Sequence, residues 1–97
     1  MKTLEKNEIV EFLKLHLKNW TFEDSLIKRE FTFETFVQAF SFMTAIALEA
    51  EKSEHHPDWS NSYNKVNIAL TTHSANGVTQ SDLDLATKIN SLYRKYE

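Results

Sequence analysis

A chain of 97 residues holds enough apolar material for one modest core and too little for two, so a single domain spanning 1–97 is expected. With 41% hydrophobic, 26% charged and 12% aromatic residues, the composition is that of a globular protein and excludes disordered and collagen-like classes. The net charge of -3 is built from interspersed signs, which leaves no basic stripe for phosphates and no charge block for a membrane surface, arguing against direct nucleic-acid or membrane binding.

In chain order, MKTLEKNEIVEF carries charges every few residues where a secretory signal needs an unbroken apolar core, and no apolar run is long enough to span a bilayer. A cytoplasmic protein is expected. Leu4, Ile9, Phe12, Leu13 and Leu17 recur near helical spacing, predicting an amphipathic helix over 3–18 with Thr3 as its N-cap. From Trp20 to Phe33 apolar and polar residues alternate on either side of the polar stretch Glu23 to Ser25, the pattern of two strands joined by a turn.

Residues 34–52 lack Gly and Pro and are rich in helix formers, predicting the most secure helix. Its apolar residues Phe36, Val37, Phe40, Phe42, Met43, Ile46 and Leu48 cover more than one stripe, so a second copy of the chain is expected to hide one face. After EKSEHHPDWSNS, the residues Val66, Ile68 and Leu70 alternate with polar neighbours, predicting a half-buried strand, with an extra short strand near 60–63. Ser74 to Gly77 turns the chain. Thr79 and Asp82 form a capping box for a last helix with Leu85, Ile89, Leu92 and Tyr96 in one stripe. Adjacent strands with short turns imply an α+β domain with helices on one sheet face.

The chemistry-bearing residues gather between the second helix and the last helix. Absence of cysteine removes disulfides, thiolate metal sites and a thiol nucleophile, and one glycine is too few for a phosphate-cradling loop. His55, His56 and His73 fall in irregular backbone or at element ends, whereas His16 sits mid-helix and is given no role. Pro57 forces His56 toward an extended conformation, so His55 and His56 project in different directions. Imidazoles near one pocket can divide proton donation and acceptance near neutral pH. Three surface histidines with no shared site is the bland alternative. Zinc held by these histidines with Glu51 or Asp58 fits poorly, because adjacent extended residues aim apart. Trp59 serves either as core or as a platform for a flat ligand. Loop and strand-end imidazoles are expected to add little to the core.

AEKSEHHPDW (Ala50 to Trp59) followed by YNKVNIALTTH (Tyr63 to His73) resembles the pterin-4a-carbinolamine dehydratases, and the similarity extends from Phe31 to Ile89 through Gly77, Thr79, Asp82 and Leu85. The resemblance implies a four-stranded antiparallel sheet with three helices on one face. It implies dehydration of a 4a-hydroxytetrahydropterin to the quinonoid dihydropterin, recycling pterin after aromatic amino-acid hydroxylation, with no cofactor and no metal. His55, His56 and His73 would surround the C4a hydroxyl as acid and base, with Glu51, Pro57, Trp59, Thr72 and Asp82 binding substrate and Glu51 alternatively orienting a histidine. A homodimer or homotetramer is implied. The rival reading, also from the family, is a dimerisation partner of a transcription factor acting through helix 34–52.

Overall fold

A computed structural model describes residues 2–97. Helix α1 (Lys6–His16) is followed by strands β1 (Thr21–Glu23) and β2 (Leu26–Thr32), helix α2 (Phe36–Ser53), strands β3 (Asp58–Ser62) and β4 (Lys65–Leu70), and helix α3 (Gln80–Tyr93). The strands form one antiparallel sheet in the order β1-β2-β4-β3. This is the expected α+β architecture, with three α-helices and four strands among the described residues. Ile27, Phe31, Val66, Ile68 and Leu70 turn to one face and are completely buried against the helices, while Lys28, Glu30, Asn67 and Ser60 lie on the open face, as period-two alternation requires. Among the described residues no helix is long and apolar enough to cross a membrane.

Several boundaries shift from the sequence expectation, the last helix ending at Tyr93 short of Tyr96, and two of the shifts have a visible cause. Helix α1 begins at Lys6 with Glu5, not Thr3, as N-cap, because Glu8 reaches back to the Glu5 amide at 2.9 Å and completes a capping box. Leu4 instead donates its amide to the Val78 carbonyl at 2.9 Å, which ties the N-terminal segment to the stretch before α3. The extra strand starts at Asp58, earlier than the predicted Ser60, since Pro57 sets an extended entry and β4 offers a ladder from Lys65 to Ala69. Both hairpins are tight. Asp24 and Ser25 both adopt positive φ between the paired Glu23 and Leu26, the pattern of the two-residue turn that matches strand twist.

Helix α2 is capped by Thr35, whose hydroxyl accepts the Gln38 amide at 3.1 Å, and buries Ala39, Phe42, Ile46 and Ala50 along one stripe. Its opposite face leaves Phe36, Val37, Phe40 and Leu48 exposed. Beneath it the aromatic rings of Phe31, Phe33, Phe42 and Tyr93 meet one another at tilted or edge-on angles, the geometry that ring quadrupoles favour.

Arg29 points into this region. Its guanidinium lies over the Phe31 ring at 4.3 Å and bonds the Asn90 side-chain oxygen at 2.8 Å. Burial lowers its pKa, while the fields of Tyr93 and Glu97 oppose that shift. The same Asn90 oxygen accepts from the Trp20 indole at 2.9 Å. Asn90→Ala therefore strands two donors, and urea titration should show a loss of about 2 kcal/mol, within the range for an unsatisfied buried polar group. Unchanged stability would show that water replaces the amide there.

Candidate active site

Antiparallel pairing decides where the chemistry gathers. Because β3 and β4 run in opposite directions side by side, the segment entering β3 and the segment leaving β4 lie at the same end of the sheet. The first carries His55, His56, Pro57 and Asp58, and the second carries Thr72 and His73. Segments separated in sequence by a hairpin thus become neighbours.

The end of α2 orients the first histidine. Glu54 takes the left-handed conformation (φ 54°) and the His55 amide folds back to the Ala50 carbonyl at 3.0 Å, a left-handed helix stop that reverses the chain. His55 is thereby turned toward the start of α3, where its Nε2 lies 2.5 Å from Oδ1 of Asp82. Asp82 is wholly buried. Its other oxygen accepts the Thr72 hydroxyl at 2.9 Å and the Thr79 amide at 2.8 Å, and the Thr72 and Thr79 hydroxyls bond each other at 2.8 Å. The capping box expected of Thr79 and Asp82 is present, but the same carboxylate also holds His55. A helix C-terminus favours positive charge and an N-terminus negative charge, so the ends of α2 and α3 both support this pair.

The other two histidines face outward, as the Pro57 argument anticipated for the divergence of His55 and His56. His56 Nε2 lies 2.8 Å from Glu51 Oε1, and His73 Nε2 lies 3.3 Å from Asp58 Oδ2. All four groups are mostly solvent-exposed, so water weakens each pair. Every one of the three histidines thus has its own carboxylate. Glu51 stands within hydrogen-bond distance of a histidine. Asp58 as the partner of His73 was not anticipated. Its signal was the acidic residue directly after His-His-Pro, which sequence reasoning weighed only as a metal ligand.

Pro57 is half-buried between His56 and Asp58, and Trp59 is half-buried and packs against the core opposite Ile68. Trp59 also lines an open trough of about 550 Å³ across the sheet, beside Asp58, Ser60, Asn67 and Lys28. A second cleft of about 570 Å³ is lined by His55 together with Phe12 of α1 and Gln80 and Leu85 of α3. The trough approaches the Asp58–His73 side of the sheet end and the cleft approaches the His55 side. Among the described residues no three His, Asp or Glu side chains are grouped to hold a metal ion. His55 departs from the expectation of a dispensable loop imidazole, since its loss would leave a buried carboxylate oxygen without its partner.

Comparison with known proteins places the chain in a family. A family model described as pterin 4 alpha carbinolamine dehydratase matches residues 2–92. The chain belongs to this family. A protein of Prochlorococcus marinus strain NATL2A called "Putative pterin-4-alpha-carbinolamine dehydratase" is 47% identical over 89 residues, covering 92% of this chain and 93% of that one. A protein of Mesorhizobium japonicum with the same description is 47% identical over 92 residues, covering 93% of each chain. The crystal structure of a "transcriptional coactivator/pterin dehydratase" from Brucella melitensis superposes with a TM-score of 0.89 at 43% identity, covering 94% of this chain and 98% of that one. A pterin dehydratase-like RuBisCO assembly factor of the alpha-carboxysome shares the fold, with a TM-score of 0.64 at 20% identity over 75% of this chain and 84% of its own.

Proposed function

We propose that this member of the pterin-4a-carbinolamine dehydratase family is a hydro-lyase that converts a 4a-hydroxytetrahydropterin to the quinonoid dihydropterin and water, recycling pterin after aromatic amino-acid hydroxylation. The observation that supports the reading is that the segments bearing the three histidines lie at one end of the sheet, each histidine with a carboxylate at 2.5, 2.8 or 3.3 Å. The reaction breaks the C4a–O bond, and its electron pair leaves with oxygen. An imidazolium protonates that oxygen, and a neutral imidazole takes the proton from ring nitrogen N5 as the C4a=N5 bond forms. Water departs with no change of oxidation state, and one proton returns between the histidines through solvent. His55, His56 and His73 are the proton carriers in this reading, with Pro57, Trp59 and Thr72 shaping the space for the flat ring. Neither a metal nor an organic cofactor is needed to balance the reaction.

A second reading rests on the exposed Phe36, Val37, Phe40 and Leu48 of α2, which suit self-association as a homodimer or homotetramer or the coactivator role printed for the Brucella relative. It is compatible with the enzyme, since the exposed apolar stripe stops at Leu48, about one helical turn before the Glu51 that meets His56. The first reading is tested by following the absorbance of a freshly generated carbinolamine in cytoplasm-like buffer, with protein passed over a chelating resin. Rapid loss that persists after chelation is expected. A rate equal to that in buffer would leave the interaction role as the function of the fold.

A further inference from the structure

The pair at the junction of α2 and α3 is built differently from the other two histidine–carboxylate pairs. Asp82 has no exposed surface, and the His55 side chain keeps only 15% of its own, whereas His56 and His73 keep 63% and 77%. One oxygen of Asp82 is taken up by Thr72 and Thr79, and the other meets His55. That carboxylate cannot rotate without breaking the cap of α3. A carboxylate so fixed accepts hydrogen bonds and donates none, so the nitrogen facing it must carry the proton. In the neutral ring, a proton on Nε2 places the lone pair on Nδ1.

We infer that Asp82, fixed by Thr72 and the Thr79 amide, is a positioning residue that holds His55 in its Nε2-protonated tautomer, so that Nδ1 is the nitrogen exchanging a proton with the carbinolamine. This deepens the dehydratase reading and rests on it for the identity of the substrate. It also changes the role of Asp82 from a substrate contact to support for the ring, because the carboxylate is enclosed by protein groups. The carboxylate keeps its charge throughout and stabilises the ring while that ring holds two protons, as a buried aspartate does for a catalytic histidine elsewhere. In the proton-accepting direction the N5 proton moves to Nδ1 and its electron pair forms C4a=N5. In the donating direction Nδ1 delivers its proton to the departing oxygen. Nε2 keeps its proton in both. Thr72 directly precedes His73, so the hydroxyl that fixes Asp82 also joins the setting of two of the proton carriers.

Asp82→Asn is the informative change, since the side-chain oxygen can still accept from Thr79 while the amide nitrogen turns a donor toward His55. Long-range proton–nitrogen NMR of uniformly 15N-labelled protein is expected to show His55 as Nε2–H in the wild type and Nδ1–H in Asp82→Asn. Turnover should fall about a hundredfold or more with KM little changed, as expected when a supporting carboxylate sets the wrong tautomer. Should Asp82→Asn fail to fold, Thr72→Val removes only the hydroxyl that fixes the carboxylate, and kcat is expected to fall about threefold to tenfold at constant KM. A wild-type His55 carrying its proton on Nδ1, or Asp82→Asn and Thr72→Val variants with unaltered kcat, would overturn the assignment. An inactive wild type with the Nε2–H tautomer would overturn the substrate reading and leave the tautomer assignment standing.

Discussion

His73→Ala is expected to lower kcat/KM for carbinolamine dehydration by about a hundredfold or more, the usual range for a lost proton carrier, while leaving thermal stability unchanged. His55→Ala should lose activity to a similar extent and also lose about 1–3 kcal/mol of stability, because the buried oxygen of Asp82 is left without its partner. Burial separates the two outcomes. The His73 side chain is 77% exposed and its link to Asp58 spans 3.3 Å in solvent, whereas His55 closes a network whose other members are buried. Activity assays beside thermal melts of the two variants check both halves. Dehydration at the wild-type rate in both would remove the histidines from the mechanism, and an unchanged melt for His55→Ala would show that water enters to satisfy Asp82.

Phe31→Ala is expected to have the largest effect on the fold, a loss of about 3–5 kcal/mol. Phe31 is completely buried in the middle of β2 and touches the rings of Trp20, Phe42 and Tyr93 with centroid separations of 6.0, 5.0 and 4.9 Å. It is also the ring under the Arg29 guanidinium. Truncation would open a cavity and remove the face that shelters a partly buried cation at the same time. Since a domain of this size has about 5–15 kcal/mol in all, the variant should be marginally folded at 37 °C. A denaturation midpoint close to that of the wild type would mean that neighbouring rings collapse into the space.

Most of the scaffold was legible because its signals are local. Val66, Ile68 and Leu70 alternate as a strand must, and all three are buried on one face. The capping box of Thr79 and Asp82 could be read from their spacing and is present. The start of α1 was less legible: Thr3 is the preferred cap type, yet the helix begins after Glu5, where Glu8 closes a capping box and the Leu4 amide is bonded to Val78. The candidate site was legible as a set of residues but not as a set of pairs. That His55 meets Asp82 depends on the left-handed stop at Glu54 and on the docking of α3, neither of which has a period or a motif. Asp58 finding His73 depends on strand register, because β3 must begin at Asp58 for its side chain to reach the end of β4.

The hairpin placement of the histidines has a consequence for how the chain can change over generations. Every proposed proton carrier and its carboxylate lies in the continuous stretch from Glu51 to Asp82, and the other segments serve it through packing. Away from Phe12 and Thr21, which line the two clefts, substitutions in α1 or β1 that preserve apolar volume are therefore filtered by foldedness alone, whereas those in the stretch from Glu51 to Asp82 are filtered twice. The N-terminal part can drift in sequence while the reaction is kept, and new partners can be acquired there without disturbing the chemistry.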